Sequence, residues 1–154
     1  MKAGRLLVKN FDARIPEIEI KPEGSSSKIV VHSKMYDEND GKKIDIKINF
    51  NDVAAIEFCV NYFDNMIGAE ALGLYEIEDI DFIDSVVYRN FERRREVYLL
   101  EGDYEYEPSE PADMLNVFDL LGTYQRGKET YHAFVQNVDA GVYIIIAKGY
   151  QIVQ

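Results

Sequence analysis

The sequence predicts an α+β domain made mainly of antiparallel β-sheet, built as a sandwich or partly closed barrel with one or two short helices. Three observations carry this reading. Residues 44–50 alternate strictly, with Ile44, Ile46, Ile48 and Phe50 against Asp45, Lys47 and Asn49, the period of a strand with one buried face. Val142 to Ala147 is an unbroken apolar run rich in β-branched residues and bounded by Gly141 and Gly149, as in a strand buried on both faces. Short helices are read over residues 80–92 and 111–121.

Residues 5–11 read as a first strand, and Ile15, Ile18 and Ile20 around Pro16 as a second near a sheet edge, because proline cannot donate to a ladder. Glu23 to Ser27 is a loop by composition and Lys28 to Ser33 a strand. The polar stretch Tyr36 to Lys42, ending in Asp40-Gly41-Lys42, is a turn. Across Asn51-Asp52-Val53 a three-residue loop places Ile46 opposite Phe58 and Lys47 opposite Glu57, which predicts a hairpin over residues 44–62. A helix from Asp52 is the alternative, on the stripe Val53, Ile56, Val60, Phe63 and Ile67.

A helical turn is read within 65–73 and a short strand over Leu74 to Ile77. From Asp79, Ile80, Ile83, Val87 and Phe91 share a helical face, with Arg93-Arg94-Arg95 placed at the carboxyl end where cations suit the helix dipole. Val97 to Leu100 reads as a strand. After Pro108 and Pro111, the residues Met114, Leu115, Phe118 and Leu121 give a second helix that stops at Gly122, and Thr123 to Thr130 is a polar connection. The final hairpin runs from Tyr131 through a three-residue Asp139-Ala140-Gly141 loop to the central Val142–Ala147 strand.

At 154 residues the chain is most economically a single domain, 1–154. The 28 acidic against 17 basic residues leave a formal charge of -11, which opposes phosphate binding and makes nucleic acid a poor partner. One cysteine forbids an internal disulfide, and no apolar segment is long enough for a signal peptide or membrane span, so a cytoplasmic protein with no membrane partner is expected.

Candidate chemistry is sparse. His32 and His132 are the two histidines, and no His-x-His, His-x-x-x-His or cysteine pair accompanies them, so no metal, cofactor or catalytic residue is expected. Cys59, within the apolar run Phe58 to Val60, reads as a buried, inert thiol. Glu101, Asp103, Glu105 and Glu107 alternate with Tyr104 and Tyr106, placing four carboxylates along one side of an extended segment. The spacing is not that of a calcium loop. Charge to steer encounter and aromatic area to bury make Glu101, Asp103, Tyr104, Glu105, Tyr106 and Glu107 the candidate partner surface.

The order Phe50-Asn51-Asp52-Val53, then Tyr75-Glu76-Ile77-Glu78-Asp79 before Phe82-Ile83, then Tyr131-His132-Ala133-Phe134 and the Val142–Ala147 strand, resembles a pattern in small cytosolic β-rich bacterial proteins, uncharacterised or of immunity type. The acidic segment Glu101 to Pro111 departs from that pattern, and no catalytic residues come with the resemblance. The expectation is a non-enzymatic cytosolic module of immunity type that binds a basic protein. The alternative is a self-assembling structural or assembly subunit, a homo-oligomer, and a small enzyme of unknown class ranks third.

Overall fold

The computed structural model describes residues 4–8, 17–23, 26–37, 39–60, 73–101, 121–138 and 141–154. In chain order the elements are β1 (Arg5–Val8), β2 (Glu17–Glu23), β3 (Ser26–Tyr36), β4 (Lys43–Val60), β5 (Leu74–Ile77), α1 (Ile80–Glu101), a helical segment α2 at 121–127 running into a 3₁₀ turn at Lys128–Thr130, β6 (His132–Val138) and β7 (Gly141–Val153). The class is α+β and mainly antiparallel. The seven strands form one sheet in the order β1-β5-β6-β7-β4-β3-β2, which does not close into a barrel because β1 and β2 are its two outer strands.

The two stretches with the strongest sequence signals lie at the middle. β7 is flanked by β6 and β4, and Tyr143 through Ala147 are buried on both parities of the strand. Gly141 already pairs with Val138, so the β6–β7 connection is two residues and not three. Its residues 139–140 lie outside those described. β2 is an edge strand, as the prolines near it require, and Pro22 sits in it opposite Ser27. Between β3 and β4, Gly41 takes φ 67° and donates its N–H to the Asp37 carbonyl, while the carboxylates of Asp37 and Asp40 accept from Asn39 and Lys42 backbone N–H groups.

The expected hairpin over 44–62 is not formed. β4 is one continuous strand through Val60, so Ile46 and Phe58 lie far apart along it. Its first half pairs with β3, from Ile29↔Phe50 to Tyr36↔Lys43, and β7 runs along it from Lys47↔Val153 to Val60↔Gly141. The matched alternation fitted a hairpin because a period of two carries no information about where a strand turns back. Asp52 does mark a break, with φ 51°, and a bulge follows between Val53 and Ala55. Phe50 and Val53, and opposite them Tyr150 and Ala147, all pack in one cluster. The inward parity therefore switches on both strands at this point, and the sheet bends while its ladder continues.

The second half of β4 carries α1. Asp79 caps the helix, its carboxylate accepting the Phe82 N–H at 3.3 Å, and Ile83, Val86 and Val87 bury against Ala55, Ile77, Ala133, Ile144 and Ile146. Arg89 grips both carboxylate oxygens of Glu57 at 3.1 and 3.3 Å, and the Asn90 amide donates to the Ile56 carbonyl. α1 outruns its expected end at residue 92 and continues to Glu101, so Arg93-Arg94-Arg95 are mid-helix and Val97 to Leu100 are helical, not a strand. Gly122 lies inside α2 and does not stop it, and 123–130 is helical and 3₁₀ rather than an irregular connection. Residues 65–72 of the helical turn expected within 65–73 and the helix residues Met114, Leu115 and Phe118 fall outside the described residues, as do residues 9–11 of the first strand.

On the face of the sheet away from α1, a second cluster gathers Ile29, Val31, Ile46, Ile48, Phe50, Leu74, Phe134, Tyr143, Ile145 and Ala147, joined by Leu7 and Val8 of β1 and Ile18 of β2. β1 reaches this cluster by a close backbone approach: a Cβ on Gly73 would stand 2.2 Å from the Val8 carbonyl oxygen, so only glycine fits there.

Candidate functional site

β5 and β6 pair through Tyr75↔Val135, Glu76↔Phe134 and Ile77↔Ala133. Ile77 and Ala133 are buried in the cluster with α1, so the alternation of the strands sends Glu76, Phe134 and His132 to the opposite face. Phe134 packs into the core there, its ring 5.1 Å from Phe50 and 5.3 Å from Tyr150, and anchors the β6 strand beside which the polar groups collect. Sequence spacing of two puts Glu78 on the side of Glu76 at the strand end.

Glu76 is the centre of this group, with its side chain only 7% exposed. Arg5, from β1, donates to Glu76 Oε2, and that hydrogen bond together with the carboxylate's charge raises the Arg5 pKa further above its ordinary value. On the other side His132 Nδ1 lies 2.9 Å from Glu76 Oε1 and 3.6 Å from Glu78 Oε1. Nδ1 is buried, yet it makes no hydrogen bond of acceptable geometry: it is close to the Glu76 oxygen but the ring N–H direction misses it. The three donor atoms lie within 4.8 Å of one another. One imidazole nitrogen and two carboxylates so placed can share a proton or hold a divalent cation.

A cleft of about 510 Å³ lies between the end of β4 and α1, lined by Ile56, Glu57, Phe58, Cys59, Arg89, Asn90, Glu92, Arg93 and Glu96. Cys59 is exposed here, where the sequence suggested burial, because it lies on the Glu57 side of β4 near its end. Desolvation and the nearby Glu57 carboxylate both push its thiol pKa up, so it stays protonated and is a poor nucleophile. Arg93 is paired with Glu96 at 2.7 Å.

The residues expected to form the partner surface are not assembled by the described structure. Glu101 ends α1 and so does not extend an alternating row, while Asp103, Tyr104, Glu105, Tyr106 and Glu107 lie outside the described residues. His32 sits at 3.3 Å from Glu19, which Lys21 also approaches at 3.2 Å, and these two partners hold the Glu19 carboxyl below its usual range. His132, for which sequence spacing offers no ligand partners, has two carboxylates beside it, Glu76 on the neighbouring strand β5 and Glu78 just past its end. The signal was present in the segments Tyr75 to Asp79 and Tyr131 to Phe134, but only strand pairing joins them.

No match to this chain was found among protein-family models, curated proteins or solved structures. Among the described residues, no helix is long and apolar enough to cross a membrane.

Proposed function

We propose that this protein acts in the cytoplasm by binding another protein, and that the partner is basic. The observation that carries the reading is an apolar pair on an acidic chain. Leu6, on the outer strand β1, stands opposite Tyr75 of the adjoining β5, 46% and 38% exposed, and beyond β5 the chain presents exposed Glu78 in the connection and Asp81 in the first turn of α1. Aromatic and aliphatic area flanked by like charge suits docking in which acidic groups steer the encounter and the apolar pair is buried on contact. The net charge of -11 favours a cationic partner over a neutral one. An immunity-type factor neutralising a basic protein is the specific form of this reading, in keeping with the resemblance of the β5 and β6 segments, and the acidic, tyrosine-bearing stretch Glu101–Glu107 enters it on its sequence alone.

The test is binding kinetics with a purified partner captured from the native host. Leu6→Ala and Tyr75→Ala should speed dissociation by about tenfold or more, whereas Asp81→Asn and neutralisation of Glu101, Asp103, Glu105 and Glu107 should slow association and flatten its salt dependence. Kinetics unchanged in every variant would overturn the reading. Self-assembly is the second reading, supported by Ile20, 66% exposed on the outer strand β2. In that case Ile20→Lys lowers the mass seen by light scattering with no other protein present.

A further inference from the structure

We propose that Glu76, Glu78 and His132 form a binding site for a divalent transition metal of the zinc class. The distances are those of ligands around one ion. Two donor atoms each roughly 2.0–2.2 Å from a zinc ion stand about 3.3–3.6 Å apart at tetrahedral angles. His132 Nδ1 lies 3.6 Å from the Glu78 oxygen, at that spacing, and 2.9 Å from the Glu76 oxygen, a few tenths of an ångström inside it.

The buried Nδ1 supplies an independent reason. It lies at contact distance from Glu76 Oε1 without a hydrogen bond that satisfies it, an arrangement that costs stability when nothing lies between the two atoms. If Nδ1 carries a proton, the N–H is misdirected; if it does not, two lone pairs face each other. A cation bridging Nδ1 and Oε1 satisfies both atoms in one geometry.

The donor set selects the metal. An imidazole nitrogen among the ligands favours zinc, cobalt, nickel or iron over calcium and magnesium, which take oxygen ligands. Arg5 holds the second oxygen of Glu76 and so orients the first toward His132, the role an outer-shell partner plays at metal sites. Two carboxylates and one guanidinium leave the group with one net negative charge, which favours a dication. Glu78 is 72% exposed and gives the ion a route from solvent, and three protein ligands leave a fourth position for water or for a donor from a bound protein.

The experiment titrates zinc chloride and, separately, cobalt chloride into the full chain, following heat and, for cobalt, visible absorption. One equivalent should bind with micromolar or tighter affinity, and zinc should shift the His132 Nδ1 resonance in nitrogen-correlated spectra. His132→Ala should abolish the shift and weaken binding by at least ~100-fold, and Glu78→Gln should weaken it by at least ~10-fold. Because Glu76 is buried against Arg5, Glu76→Gln could unfold the β1–β5 edge; Glu78→Gln, at an exposed position, tests the site without that risk. Affinity weaker than ~1 mM for both ions, or binding that survives His132→Ala, would overturn the proposal.

Discussion

The Tyr143 hydroxyl donates a hydrogen bond to the Gln136 side-chain oxygen across the β6–β7 ladder, where the two residues are register partners and both are buried. Tyr143 packs among the apolar core residues of the sheet. Each residue is the reason the other is tolerated there, since a buried group without its partner loses hydration and regains nothing. Tyr143→Phe strands the glutamine oxygen and Gln136→Leu strands the hydroxyl, and each should cost about 1–3 kcal/mol in urea unfolding. The double variant should cost less than the sum by roughly 0.5–3 kcal/mol. Strict additivity would mean that the pair is not coupled.

Burial also raises the Tyr143 pKa well above its ordinary value. An acid whose folded pKa lies above its unfolded one stays neutral in the fold while the unfolded chain ionises, so the stability it contributes is complete below the unfolded pKa of about 10 and falls as pH rises past it. Between that value and the folded pKa, Tyr143 alone should remove roughly 1.4 kcal/mol per pH unit. Tyr124, raised by burial and by its hydrogen bond to Asp84, and Tyr131, raised mainly by burial, act in the same direction. In denaturant titrations from pH 8 upward, Tyr143→Phe should start less stable but show a shallower alkaline decline. Parallel curves for the two proteins would contradict this.

The faces of β4 give a third outcome. Ile46 is 2% exposed in the cluster away from α1, whereas Lys47, one residue on, is exposed. Ile46→Ala should cost ~2–5 kcal/mol as a large truncation in a packed core, and Lys47→Ala should stay within about 0.5 kcal/mol of the parent. Equal urea midpoints would mean that the burial of the two faces is misassigned. The assignment does not depend on a hairpin, because both β3 and β7 pair with this part of the strand.

The contrast between Ile46 and Asp52 explains what the sequence made legible. Alternation at 44–50 and the doubly apolar run of β7 are local consequences of burial, and both identified strands correctly. The Asp79 cap and the positions of Ile83 and Val87 likewise marked α1, since a cap and a 3.6-residue period are read within a few turns. The pairing of β6 with β7 across a tight turn was also legible, and what failed was pairing between strands distant in the sequence. Asn51-Asp52-Val53 has the composition of a turn, but two strands distant in sequence hold β4 extended through it. The apolar run Val97 to Leu100 is too short for its period to be decided alone and continues a helix already begun. Glu76, Glu78 and His132 became a cluster only through the Ile77↔Ala133 pairing, and Arg5 joined it through β1, information no single segment holds.

Asp52 provides the last prediction, because it bends β4 where a turn was expected. Its φ of 51° lies in the left-handed region, which costs an ordinary residue roughly 1–2 kcal/mol and a β-branched one more. Glycine avoids that strain but loses roughly 0.5–1 kcal/mol in chain entropy, so Asp52→Gly should be neutral to about 1 kcal/mol stabilising. Asparagine tolerates the same region, and Asp52→Asn should be close to neutral. Asp52→Val should be destabilising by ~1–3 kcal/mol despite the high strand propensity of valine, since propensity favours an extended backbone that this position does not adopt. Urea unfolding of the three variants orders them as glycine, asparagine, valine from most to least stable. A valine variant as stable as the glycine one would show that β4 passes through this point in ordinary extended geometry, and the paired switch of inward parity at Val53 and Ala147 would then need a different cause.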